Sequence, residues 1–208
     1  MMSAPWACCA TASSLARAGS FQAVGVTPTA WNDPARAKEL AVAQQAQGAD
    51  IIYAAAGASG NGVIDFVKEN MCFQGATRTT ALTEVLADVP LYPAYEAACP
   101  AGSQPLFFIG VDSNQNPFGD TDADPATLNH GLTSMLKRVD VAAYNAAFDV
   151  ADGAFAPGTL VLGLAEAGVG YAVDEYNEAL IPADLLTELE VIGDMIVSGQ
   201  LVVEGYTD

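Results

Sequence analysis

The chain has 208 residues, 51% of them hydrophobic and 15% charged, enough for one large domain or two small ones and too apolar for disorder. Seven Lys and Arg stand against 25 Asp and Glu, a net charge of −18 that repels phosphate and argues against a nucleic-acid partner. No apolar run approaches the ~20 residues of a membrane span.

Residues 1–20 (MMSAPWACCATASSLARAGS) are small, apolar and low in complexity, and they read as a disordered or aberrant leader. The first basic residue, Arg17, comes after the apolar part, which is the wrong order for a secretory signal. Phe21–Thr27 is a short apolar run and an expected strand. Asp33 and Pro34 supply an N-cap and a first helical position, so a helix is expected over Pro34–Gln47, with Gly48 as its stop. Ile51–Ala55 reads as a buried strand. Gly57-Ala58-Ser59-Gly60-Asn61-Gly62 then turns into a second helix, Val63–Glu69. The β-α-β-turn-α order predicts a parallel sheet.

Cys72–Pro105 is less regular, with a short helix expected near Thr80–Ala87 and a Pro/Tyr-rich loop after it. Leu106–Val111 is a strong strand ending at Asp112. Ser113–Thr127 is a polar loop, Leu132–Leu136 a strand, and Val139–Asp152 a helix closed by Gly153. Thr159–Leu164 reads as another strand and Glu166–Tyr171 as a glycine-broken loop. Pro182–Ser198 is an amphipathic helix through Leu185, Leu186, Leu189, Ile192 and Ile196, followed by a short Leu201–Val203 strand. The expected architecture is a three-layer α/β lobe with about five strands.

Four cysteines, Cys8, Cys9, Cys72 and Cys99, include no CxxC pair, and His130 is the sole histidine, so zinc-ligand spacing is lacking. Cys72 and Cys99 either staple the stretch between them in an oxidising compartment or act as small apolar residues in a reducing one. Asp120, Asp122 and Asp124 suggest a calcium loop, but the sixth position is Pro125 and the twelfth Gly131, so the EF-hand pattern fails and a solvated acidic loop is expected. His130 has no nucleophile motif near it. Tyr92, Tyr95 and Phe73 read as the local core of their stretch.

In open parallel sheets ligands bind at the carboxyl ends of strands. That rule selects Tyr53 to Gly62, Asp112 to Asn116, and the junction at Lys137. Asp112 is either a ligand contact or an N-cap for the next element. Lys137 sits at a helix start, where a cation opposes the helix dipole, and so asks for a functional reason. A carboxylate and an ammonium at neighbouring strand ends suit a hydroxyl-rich ligand without a metal. The glycine run resembles a phosphate-cradling dinucleotide turn. However, no acidic ribose partner comes after it and no Tyr-x-x-x-Lys pair is present, and the bland reading is close strand–helix packing.

Five segments in order resemble one family. They are Trp31–Ala41 (WNDPARAKELA), Gly48–Tyr53 with Ala56–Val63 (GADIIY…AGASGNGV), Ile109–Gln115 (IGVDSNQ), Leu132–Asp140 (LTSMLKRVD) and Gly163–Tyr171 (GLAEAGVGY). The family is the basic membrane protein group, substrate-binding lipoproteins of ABC importers that include purine-nucleoside receptors. The resemblance implies the second lobe of a type I periplasmic binding protein, a flavodoxin- or Rossmann-like half, over residues 21–208. It implies an insertion at 72–105 and no counterpart of the family's N-terminal lobe. It implies an extracytoplasmic, non-enzymatic protein with a nucleoside-like ligand, an ABC permease as partner, and neither cofactor nor metal. By position, Tyr53 resembles the aromatic that stacks on the base. Asp112 and Lys137 resemble the pair that binds ribose hydroxyls, and Gly57 with its neighbours lines the cleft through backbone groups. Two other readings stand beside it: a dinucleotide-dependent oxidoreductase that uses the glycine turn, and a lobe remnant without a ligand.

Overall fold

The computed structural model describes residues 31–77 and 80–203. The leader at 1–20 and the expected strand Phe21–Thr27 lie outside these residues. Helix α1 (Pro34–Ala46) starts as its sequence dictates: the Asp33 carboxylate accepts the Arg36 N–H at 3.0 Å, and Pro34 occupies the first turn. It ends at Gly48, whose φ of +98° favours glycine. Strand β1 (Ile51–Tyr53) leads through a 3-10 turn, Gly57–Ser59, into α2 (Gly60–Asn70), one helical turn earlier than expected. The Ser59 hydroxyl accepts the Asp33 N–H at 2.7 Å and ties the two helix starts together.

The 72–105 stretch contains more order than its sequence predicts. Strands β2 (Cys72–Thr77) and β3 (Ser103–Pro105) pair antiparallel, and between them lie α3 (Thr80–Val85) and α4 (Pro93–Ala98). A Cys72–Cys99 disulfide joins the start of β2 to the end of α4 across 27 residues, with Cα atoms 6.1 Å apart. Of the two roles the sequence leaves open for these cysteines, the structure shows the staple.

The main sheet has the order β1-β4-β5-β6, with β4 at Phe107–Gly110, β5 at Gly131–Lys137 and β6 at Val169–Tyr171. Strands β1, β4 and β5 run parallel and β6 is antiparallel to β5. Strand alternation divides the core. Ile52 and Phe108 face α1 and α2, where they join Ala37, Ala41, Val63, Phe66 and Val67. Ile51 and Phe107 face the other way, into a cluster with Cys72, Leu86, Tyr92, Tyr95 and Cys99. The 72–105 stretch thus forms the second covering layer of the sheet, and Tyr92 and Tyr95 are its core, as expected, whereas Phe73 packs instead against the cluster around Ile52 and Phe108.

Helix α5 (Val139–Ala151) and helix α6 (Ala183–Val197) form where periodicity places them, yet neither buries a residue. Tyr144, Phe148, Val150, Val191, Ile192 and Val197 are exposed. Three expectations are corrected. Thr159–Leu164 is irregular and largely exposed: it pairs with no described strand, and the edge of β5 is taken by β6 instead. Val169–Tyr171, read as loop, is that edge strand. Leu201–Val203 forms no strand and lies exposed.

Candidate functional site

Three of the selected residues meet at the carboxyl ends of adjacent strands. Tyr53 ends β1, Asp112 comes after β4 and Val111, and Lys137 ends β5. The sheet order places Asp112 between the other two. The Lys137 Nζ donates to Asp112 Oδ1 at 2.8 Å, and the Lys137 backbone N–H donates to the Asp112 carbonyl at 2.9 Å. Their side chains remain 57% and 45% exposed, so the pair is neutralised internally but open to a ligand. Asp112 adopts φ +68°, in the left-handed region that a non-glycine residue enters only when its surroundings hold it there. It does not cap a helix: the next element is the 3-10 turn Asn116–Gly119, whose capping position is Gln115.

Tyr53 is 45% exposed. Partial burial, and then the nearby Asp112 carboxylate, push its hydroxyl above the ordinary tyrosine value, which keeps the phenol neutral at physiological pH. An uncharged aromatic face beside a carboxylate–ammonium pair can stack on a flat ring, while the pair accepts and donates to hydroxyl groups. Gly57 has φ +53° and lies against the Trp31 backbone carbonyl, 3.4 Å from where a Cβ would stand. Its glycine is accounted for by that turn.

Gly62, the last glycine of the run, meets α1. A Cβ there would collide with the Pro34 carbonyl and lie 3.0 Å from the Lys38 nitrogen. This matches the packing explanation for the glycine run and leaves that position without need of a phosphate. The acidic loop is likewise used locally. Asp120 accepts the N–H groups of Asp122 and Ala123, and Asp124 accepts that of Ala126. A separate groove of about 340 Å³, lined by Asn61, Ile64, Asp65, Lys68, Pro117 and Phe118, contains none of Tyr53, Gly57, Asp112 or Lys137.

His130 is a core residue. Its Nδ1–H donates to the Leu106 carbonyl at 2.7 Å, which leaves Nε2 to accept the Tyr92 hydroxyl at 2.7 Å. Burial, partly offset by the Leu106 hydrogen bond, lowers its pKa to about 4.

Sequence reasoning missed the polar network beneath Asp112. Asn116, Ser134 and Asn177 are fully buried, and Asp174 accepts from both Asn114 and Asn116. The motif IGVDSNQ contained the signal in Gln115, but nothing in the sequence showed which backbone group its side chain would meet.

No family model matches the chain. Two curated proteins, each named CD4+ T-cell-stimulating antigen, from Listeria monocytogenes and Listeria innocua, are 30% identical over 177 residues. The match covers 83% of this chain and 41% of each of theirs, so the chain spans less than half the length of these relatives. Among solved structures, an ABC transporter system solute-binding protein from Aeropyrum pernix K1 superimposes with a TM-score of 0.55 at 24% identity, covering 86% of this chain and 46% of that one. That likeness defines the class of fold: a mixed, mostly parallel α/β sheet with helices, matching a lobe of a solute-binding protein.

Proposed function

We propose that this chain is a ligand-binding lobe of an ABC-importer solute-binding protein of the basic membrane protein type, and that it takes a nucleoside-like ligand. The observation that carries the reading is the half-exposed Asp112–Lys137 pair beside Tyr53 at three adjacent strand ends. Asp112 accepts from a ribose diol, Lys137 donates to it, and Tyr53 stacks on the base; the Gly57 turn borders the ligand through its backbone. Binding of this kind requires no bond-making group, and the role is not enzymatic. The solved solute-binding protein of like fold and the resemblance of the five sequence segments support the assignment.

On this reading residues 21–208 form one lobe, 1–20 are a leader, and 72–105 are an insertion that supplies one covering layer. A second lobe, of the size by which the relatives exceed this chain, closes over the strand ends and covers the apolar faces of α5 and α6. The Cys72–Cys99 disulfide supports an oxidising, extracytoplasmic location facing an ABC permease. No helix among the described residues is long and apolar enough to cross a membrane.

The test is an amide NMR titration of the chain and of Asp112→Ala and Lys137→Ala with adenosine. The wild type is expected to shift around Tyr53, Asp112 and Lys137, and both variants to stay folded and lose those shifts. Folded variants that shift as the wild type does would refute the assignment.

A further inference from the structure

We infer that Gln115 is the positioning residue for Asp112: it holds the turn after β4 so that the Asp112 carboxylate stands beside Lys137. Four residues after Val111 the chain doubles back, and the Gln115 side chain folds under it. Gln115 Oε1 accepts the Val111 N–H at 3.0 Å, immediately before the left-handed residue. The backbone N–H of Gln115 donates to Ser134 Oγ at 2.9 Å, and Ser134 Oγ donates to Asn116 Oδ1 at 2.8 Å. One residue therefore ties the end of β4 to β5, the two strands that present Asp112 and Lys137.

The space for this arrangement depends on Gly110. A Cβ at that position would stand 2.6 Å from Ser134 Oγ, 2.8 Å from Gln115 Cβ and 2.9 Å from Gln115 Oε1. A further anchor holds the outside of the turn. Asp174 accepts from Asn114 and, at 3.2 Å, from Asn116. The Asp174 N–H donates to Asn177 Oδ1 at 2.8 Å, and Asn177 Nδ2 donates to the Leu132 and Ala172 carbonyls. Buried amides and a buried serine hydroxyl are costly in a core unless each is satisfied. Here they are joined into one network directly beneath the strained aspartate. Gln115 does not need to touch a ligand to matter; it acts through the Val111 N–H, one residue before Asp112.

The ligand half of this inference rests on the function proposed above, and the backbone half does not. The test compares Gln115→Ala with Gln115→Glu, which keeps an oxygen acceptor for the Val111 N–H. Two readouts are taken: the amide and carboxyl resonances of Asp112 without ligand, and the adenosine dissociation constant. In Gln115→Ala the Asp112 and Lys137 resonances are expected to move while α1 and α2 keep theirs, and adenosine binding to weaken at least tenfold. Gln115→Glu is expected to restore both. Should Gln115→Ala fail to fold, Ser134→Ala removes the other end of the same link and is expected to move the same resonances. Asp112 and Lys137 resonances superimposable on the wild type in either folded variant, or Gln115→Glu behaving as Gln115→Ala, would overturn the inference. A wild type that ignores adenosine would refute the proposed ligand alone, because the Asp112 resonances still decide the positioning role.

Discussion

Acid should loosen this fold through His130. Its pKa in the folded chain is about 4, against 6.5 for an unperturbed histidine, because burial among Tyr92, Tyr95 and Phe107 disfavours the imidazolium and Lys68 adds a further cation. Between these values the unfolded chain binds a proton that the folded chain refuses, so stability falls as pH falls from 6.5 towards 4. Integrated over pH 7 to 5, this one group removes about 2 kcal/mol. Asp50 works in the opposite direction, since burial raises its pKa, but as a carboxylate it acts mainly at the acid end of the window. Asp140, held down to about 2 by its hydrogen bond to Arg138, titrates below the window. Urea unfolding at pH 7, 6 and 5 isolates the histidine when His130→Asn is run in parallel, because asparagine can still donate to the Leu106 carbonyl. The wild type is expected to lose about 2 kcal/mol more than the variant over that range. Parallel pH profiles, or a wild type that gains on the variant in acid, would refute the reasoning.

Reducing the Cys72–Cys99 disulfide frees a closed loop of 27 residues' separation, which on chain entropy costs about 3.5 kcal/mol; a lower urea midpoint in reductant checks it. Gly62→Ala is expected to destabilise by about 1–3 kcal/mol because its Cβ meets the Pro34 carbonyl, whereas Gly60→Ala, with 3.7 Å to Ala54, serves as the tolerated control in thermal unfolding. The stacked, exposed Tyr144 and Phe148 predict concentration-dependent self-association of the chain by itself, and Tyr144→Ser with Phe148→Ser should reduce it in sedimentation velocity.

Local signals carried much of the architecture. The Asp33-Pro34 start, the Gly48 stop and the LFFIGV strand each specify their element by short-range chemistry, and the structure agrees with them. The strand-end rule selected Tyr53, Asp112 and Lys137, and the parallel register brings Asp112 and Lys137 to 2.8 Å. The hidden features depend on distant partners. Thr159–Leu164 has strand-forming residues but pairs with no described strand, and Val169–Tyr171 takes the β5 edge despite its glycine. The 72–105 stretch buries Tyr92 and Tyr95 against Phe107, a pairing that no local periodicity announces. The Gln115 link was illegible for the same reason: its partners are a backbone N–H and a hydroxyl on the next strand.

The central claim is that Asp112 and Lys137 hold a ribose diol. The most direct measurement is an amide NMR titration of the unmodified chain with adenosine, guanosine, inosine and uridine, and with 2′,3′-dideoxyadenosine as the compound without the diol. An open half-site predicts dissociation constants on the order of millimolar, about −4 kcal/mol of binding free energy. Shifts around Tyr53, Asp112 and Lys137 are expected with the ribonucleosides, and much weaker ones with the dideoxy compound. Equal shifts with and without the diol, or none with any nucleoside, would contradict it.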